Sequence, residues 1–180
     1  MKALRVSVAL LVLAGCNPQP AHQPSNATPT PTAAAMPPLT VIGKGTAGQP
    51  IRFTGEQRGR TTYAGQAQSC RSHSLENATQ GVCQQTQVTF YDKDGTKLEA
   101  RAPQTEIDDR RKQVILSGGV HARTSTGITL VCDRLVYDDA SGMLHGTGNV
   151  RVTGTQGGQR QVLSGNSFTS DVKLTQMTMR

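Results

Sequence analysis

Ile107-Asp108-Asp109, with Val114, Leu116 and Gly118-Gly119-Val120 behind it, is answered by Tyr137-Asp138-Asp139, with Leu144, Gly146 and Gly148-Asn149-Val150 behind it. Asp108 to Asp138, Gly118 to Gly148 and Val120 to Val150 are each 30 residues apart. Seven residues after each valine stands another glycine, Gly127 and Gly157, and a further strand-like run leads on to Asp138 and Asp171. Short alternating runs repeated at this period predict stacked strand pairs that bury one continuous core.

Aligning Asp108, Asp138 and Asp171 predicts which side chains turn inward. Three residues before each stand Thr105, Leu135 and Phe168; six before, Ala102, Cys132 and Gly165; eight before, Ala100, Leu130 and Leu163. Six after come Val114, Leu144 and Met177, and eight after, Leu116, Gly146 and Met179. These positions are mostly apolar, whereas Arg111, Gln113, Asp133, Arg134 and Lys173 beside them are polar. One face is therefore dry and the other wet. The step from three to six breaks the period of two, which predicts a bulge or bend in every unit. No stretch has a helical period, so the fold class is all-β.

Earlier strand candidates are residues 39–42, 51–54 and 61–68, followed by residues 82–92, where Val88 and Phe90, with Val82, share a face. Asp94-Gly95 ends that run as a hairpin turn. With no Trp, three Phe, three Tyr and 19 Gly, the core has to come from Val, Leu, Ile and Met, which suits a flat sandwich, one with an interior gap, or equally a fold of modest stability.

At the N-terminus, Met1-Lys2-Ala3-Leu4-Arg5 is a positive segment, and the apolar run that follows, residues 6–13, is too short to span a bilayer. It reads as a signal peptide over residues 1–15. Leu13-Ala14-Gly15-Cys16 resembles the bacterial lipobox, which predicts a lipid anchor on Cys16 and a membrane-attached mature protein with no spanning helix. Cleavage there removes Lys2 and Arg5 and lowers the formal charge from +7 to +5. Residues 16–38 contain Pro18, Pro20, Pro24, Pro29, Pro31, Pro37 and Pro38 among small polar residues and predict a disordered tether. The folded domain is then residues 39–180.

The remaining cysteines are Cys70, Cys83 and Cys132. In an oxidising compartment a disulfide is expected, and Cys70 with Cys83, flanking a polar segment read as a loop, is the favoured pair. The alternative, zinc held by Cys70, His73 and Cys83, lacks a fourth ligand and a known spacing. No cofactor or metal is expected. Gly-x-Ser-x-Gly is missing, residues 142–148 lack a phosphate-loop ending, and the recurring aspartate pairs fit turn geometry, so an enzyme is not expected. With no aromatic stacking stripe, nucleic acid is not an expected partner.

Val88-Thr89-Phe90-Tyr91-Asp92-x-Asp94-Gly95, the Leu116-Ser117-Gly118-Gly119-Val120 step, Gly127-Ile128-Thr129-Leu130 leading to Leu135-Val136-Tyr137-Asp138, and Gly148-Asn149-Val150 resemble the LptC/LptA/OstA-like lipopolysaccharide-transport family. The likeness runs from about Ile51 to the C-terminus. The tyrosine-aspartate-glycine hairpin and the anchor favour the LptC branch, in a lipoprotein form with a long tether where a transmembrane helix is usual.

The resemblance implies a twisted, open β-jellyroll around an apolar groove, located in the periplasm and anchored to a membrane. By family this is the inner membrane, while Asn17 leaves the outer one open. Its implied partners are lipopolysaccharide or a related glycolipid, an inner-membrane ATP-driven transporter, and other jellyrolls joined edge to edge at residues 51–54 and 172–179. Candidate groove-lining residues are Val88, Phe90, Leu98, Val114, Leu116, Val120, Leu130, Leu135, Leu144, Val150, Val152 and Phe168. Each is equally readable as ordinary core. Arg123, Arg151, Arg160 and Lys173 are candidates for lipid phosphates or for plain surface. Two alternatives stand beside this reading: a middle link of the bridge, and a structural or adhesive envelope lipoprotein without lipid cargo.

Overall fold

The computed structural model describes residues 39–46, 48–75 and 78–180. The signal segment, Cys16 and the proline-rich tether lie outside the described residues. Those residues form eleven strands and no helix: β1 (Leu39–Lys44), β2 (Ile51–Gln57), β3 (Arg60–Ala67), β4 (Ser69–Leu75), β5 (Ala78–Tyr91), β6 (Lys97–Asp108), β7 (Gln113–Thr124), β8 (Thr129–Asp138), β9 (Met143–Gln156), β10 (Gln159–Asp171) and β11 (Met177–Met179). They make one open, antiparallel sheet in the order β1-β4-β5-β6-β7-β8-β9-β10-β11. β3 and β4 lie end to end along β5, with β2 on β3 and β1 on β4.

The sheet is folded over on itself. Tyr137 is linked through the ladder to Val114, Ile107 and then Gly81 on β5. Phe90 lies nine residues further along β5, which is about 30 Å on a flat sheet. Their rings are nevertheless 4.6 Å apart, and Tyr63 of β3 meets Tyr137 at 6.3 Å.

The bend falls where the register jumps, between Arg101 and Gln104, Ser117 and Val120, Val131 and Arg134, and Gly165 and Ser167. Extra residues at a bulge kink the strand and raise its twist. Gly118 and Gly119, at φ 90° and 94°, take a conformation that costs other residues strain. The result is two leaves. The first holds β1, β4, β11 and the halves of the long strands carrying Cys83, Thr105, Leu116, Leu135 and Phe168. The second holds β2, β3 and the halves carrying Val88, Ala100, Ala122, Leu130 and Val152.

The recurring aspartates close the turns at the first leaf's rim. Asp108 Oδ1 accepts the backbone N–H groups of Arg110 and Arg111, Asp138 Oδ1 accepts the N–H and hydroxyl of Ser141, and Asp171 Oδ1 accepts the N–H of Thr175. A short carboxylate acceptor at this point satisfies amides that the ladder leaves over, which is the usual role of aspartate at turns.

Three details differ from the sequence reading. The segment between Cys70 and Cys83 is a hairpin of β4 and β5, because polar residues exposed at a sheet edge carry no alternation to read. Val82 faces away from Val88 and Phe90, since Gln85 at φ 51° shifts the alternation between them. The final strand is three residues long, and residues 172–176 before it form a turn.

Candidate functional site

All twelve candidate lining residues are buried, and they belong to one cluster. Val114, Leu116, Leu135, Leu144 and Phe168 come from the first leaf; Val88, Phe90, Leu98, Val120, Leu130, Val150 and Val152 come from the second. Directly opposed residues share a face, so pairs such as Leu116↔Leu135 and Leu130↔Val152 run as apolar rows across the strands. Between the leaves these rows meet and fill the interior, each fully buried leucine contributing about 1.5–3 kcal/mol. Phe168 also reaches a surface cleft of about 250 Å³.

The rows run out into the open at the edges. Leu163 lies opposite Val152 and so faces inward, yet it is 54% exposed, because β11 covers β10 only at residues 168–170. Val162 beside it is 50% exposed and faces outward. At the other end β1 and β2 each pair on one side only, with Val41 and Ile42 exposed on β1. Among the described residues both ends of the sheet therefore present backbone with no strand partner.

Where the strand tips of the two leaves meet, Lys173 bonds Asp94 at 3.2 Å and approaches Asp92 at 3.3 Å. Of the four basic residues singled out for lipid phosphates, Lys173 is thus already committed to two carboxylates. Asp94 is held down at about 2 from 3.8, chiefly by the backbone N–H of Thr96, then by the Thr96 hydroxyl, with Lys173 adding less. A lowered carboxyl pKa means that its stabilising effect is present above pH 3.8 and is lost as pH falls through about 2. Carbon-detected NMR should therefore place the Asp94 midpoint near pH 2. In Lys173→Gln the midpoint should rise only partway toward the ordinary value, since both Thr96 contacts remain.

Beneath this seam lie Tyr63 and Tyr137, whose phenols are pushed up to about 12, first by burial and then by nearby acids, Asp139 among them. They are neutral at any physiological pH.

Cys70 and Cys83 are directly opposed on β4 and β5 and form a disulfide, with Cα atoms 4.1 Å apart. Bonded cysteines offer no thiolate to a metal, so the zinc alternative falls. No cluster of three or more His, Cys, Asp or Glu among the described residues is arranged to hold a metal ion. Cys132 is a buried free thiol pushed up to about 12, mainly by burial.

The architecture defines a class: a folded all-β sheet with an apolar interior, whose outermost strands among the described residues are paired on one side only. A scan of protein-family models finds none that matches the chain, and a search of curated proteins finds none similar to it.

Proposed function

We propose that this chain is a membrane-anchored periplasmic link in glycolipid export, a twisted β-jellyroll of the LptC kind held by a lipid on Cys16. The observation that carries the reading is the inward-facing row that ends in the exposed Leu163, beside a strand edge to which no strand pairs among the described residues. An apolar interior shelters acyl chains without directional contacts, at about 25 cal/mol per Å² buried, so cargo can slide along it. A free strand edge accepts another strand through main-chain hydrogen bonds, which suits handover between modules and docking on transporter subunits.

In this reading the described state is the closed one. Acyl chains enter as the leaves part along the tip seam, exchanging side-chain contacts for lipid contacts of the same apolar character. Lys173 with Asp92 and Asp94, partly open to solvent and weakened by salt, is a fastening that such an opening would release.

The test uses two neighbours of similar exposure on opposite faces. With the photo-reactive residue benzoylphenylalanine at position 163, labelled lipopolysaccharide supplied by an energised transporter should be captured several-fold more than with the residue at 162. Equal capture, or none, defeats the proposal. The filled interior is the specific observation that favours the second reading, a structural envelope lipoprotein without cargo, and that outcome would select it.

A further inference from the structure

On the outer side of the bend lies a cleft of about 660 Å³ whose lining has an unusual composition. Gln66, Gln68, Gln85 and Gln87 line it together with Arg101 and His121, and no acidic side chain does. Four of these six form a straight row. Gln66 is opposite Gln87, Gln87 opposite Arg101, and Arg101 opposite His121, on β3, β5, β6 and β7. Each sits between two inward or half-buried neighbours, as Arg101 does between the buried Ala100 and Ala102, so all four side chains point outward.

Adjacent strands stand about 4.8 Å apart, which spaces the row's hydrogen-bonding groups evenly over about 14 Å. An extended β-linked glycan advances by a similar distance per sugar. Gln66 Nε2 donates to Gln87 Oε1 at 3.4 Å, and the Gln66 amide oxygen and the Gln87 amide N–H groups can pair with adjacent sugar hydroxyls. Arg101 is permanently charged and its fork matches a carboxylate. In the cleft lining Gly118 and Gly119 stand outside the ladder register; the Pro103 ring covers Gly118, whereas a Cβ built at Gly119 would meet nothing within 4 Å. A ligand can thus approach the main chain closely. The volume lies within the usual range for small-ligand sites.

We propose that this cleft binds an acidic saccharide, with the glutamine row holding hydroxyls and Arg101 and His121 holding a sugar carboxylate. The site lies on the opposite face from the apolar interior and stands whether or not the interior carries lipid. Two sources offer the same chemistry: a free polyuronate, and the acidic inner-core sugars of a lipopolysaccharide.

The experiment follows NMR shifts and calorimetric affinity of the full chain with β-1,4-linked hexamannuronate, and with inner-core oligosaccharide freed of its acyl chains. A neutral cello-hexaose serves for comparison. One or both acidic probes should shift the Gln66, Gln87 and Arg101 side-chain signals, and the neutral hexaose should bind more weakly. Arg101→Gln with His121→Gln should lower affinity about tenfold or more, as loss of charge-assisted hydrogen bonds does, with an unchanged melting temperature. Arg71→Gln with Arg110→Gln, which removes two positive charges outside the cleft, should leave affinity unchanged. The probe that binds identifies the source. Failure of both probes, or equal loss in both double variants, overturns the proposal. Neither result bears on capture at position 163, so the two ideas fail separately.

Discussion

Phe168→Ala should destabilise the fold by about 3–5 kcal/mol, read as a lower midpoint in urea unfolding. The ring lies across Gly146 on the neighbouring strand: a Cβ built on that glycine would overlap the ring. Gly146→Ala alone should therefore also destabilise, by about 1–3 kcal/mol, through overpacking. The pair makes a sharper test than either single change. In the double variant the new methyl enters space that the ring has left, so the combined loss should be smaller than the sum. Simple additivity would mean that Phe168 and Gly146 do not share one packing site. Gly55 under Tyr63 and Gly65 under Phe53 repeat the device, so three large rings are accommodated by leaving out the side chain beneath them.

Replacing both Cys70 and Cys83 by serine should cost about 2–3 kcal/mol, because the bond closes a short loop of the unfolded chain. The effect should also be local. The bond ties β4, which carries β1, to the end of β5. Hydrogen exchange in the serine variant should rise first in β1, β4 and the paired part of β5, while β7, β8 and β9 keep their protection. Uniform loss of protection would show instead that the whole sheet opens as one unit.

The repeat made much of this legible beforehand. Thr105, Leu135 and Phe168, aligned on their aspartates, are all buried, and the broken alternation upstream of those aspartates coincides with the observed register jumps. Leu163 was aligned with the buried Ala100 and Leu130 and does face inward, but periodicity carries no information about which strand lies at an edge. Gln85 bends β5 without a glycine to announce it, which is why Val82 was placed on the wrong face. The twelve interior residues were recognisable by their apolarity. Their division between two leaves was not, since that depends on where a continuous sheet doubles back. The row of Gln66, Gln87, Arg101 and His121 escaped for a related reason: its members come from four strands, and only the pairing register sets them side by side.

Among the described residues, each turn aspartate closes a hairpin whose backbone ladder runs only to adjacent strands. In its ladder the sheet is quasi-one-dimensional, whereas the packing of Tyr63 and Phe90 on Tyr137 ties together strands that are not neighbours. One more 30-residue repeat would move the two margins of the sheet apart by about 10 Å, twice the strand spacing. The width of the sheet is thus quantised in hairpin steps.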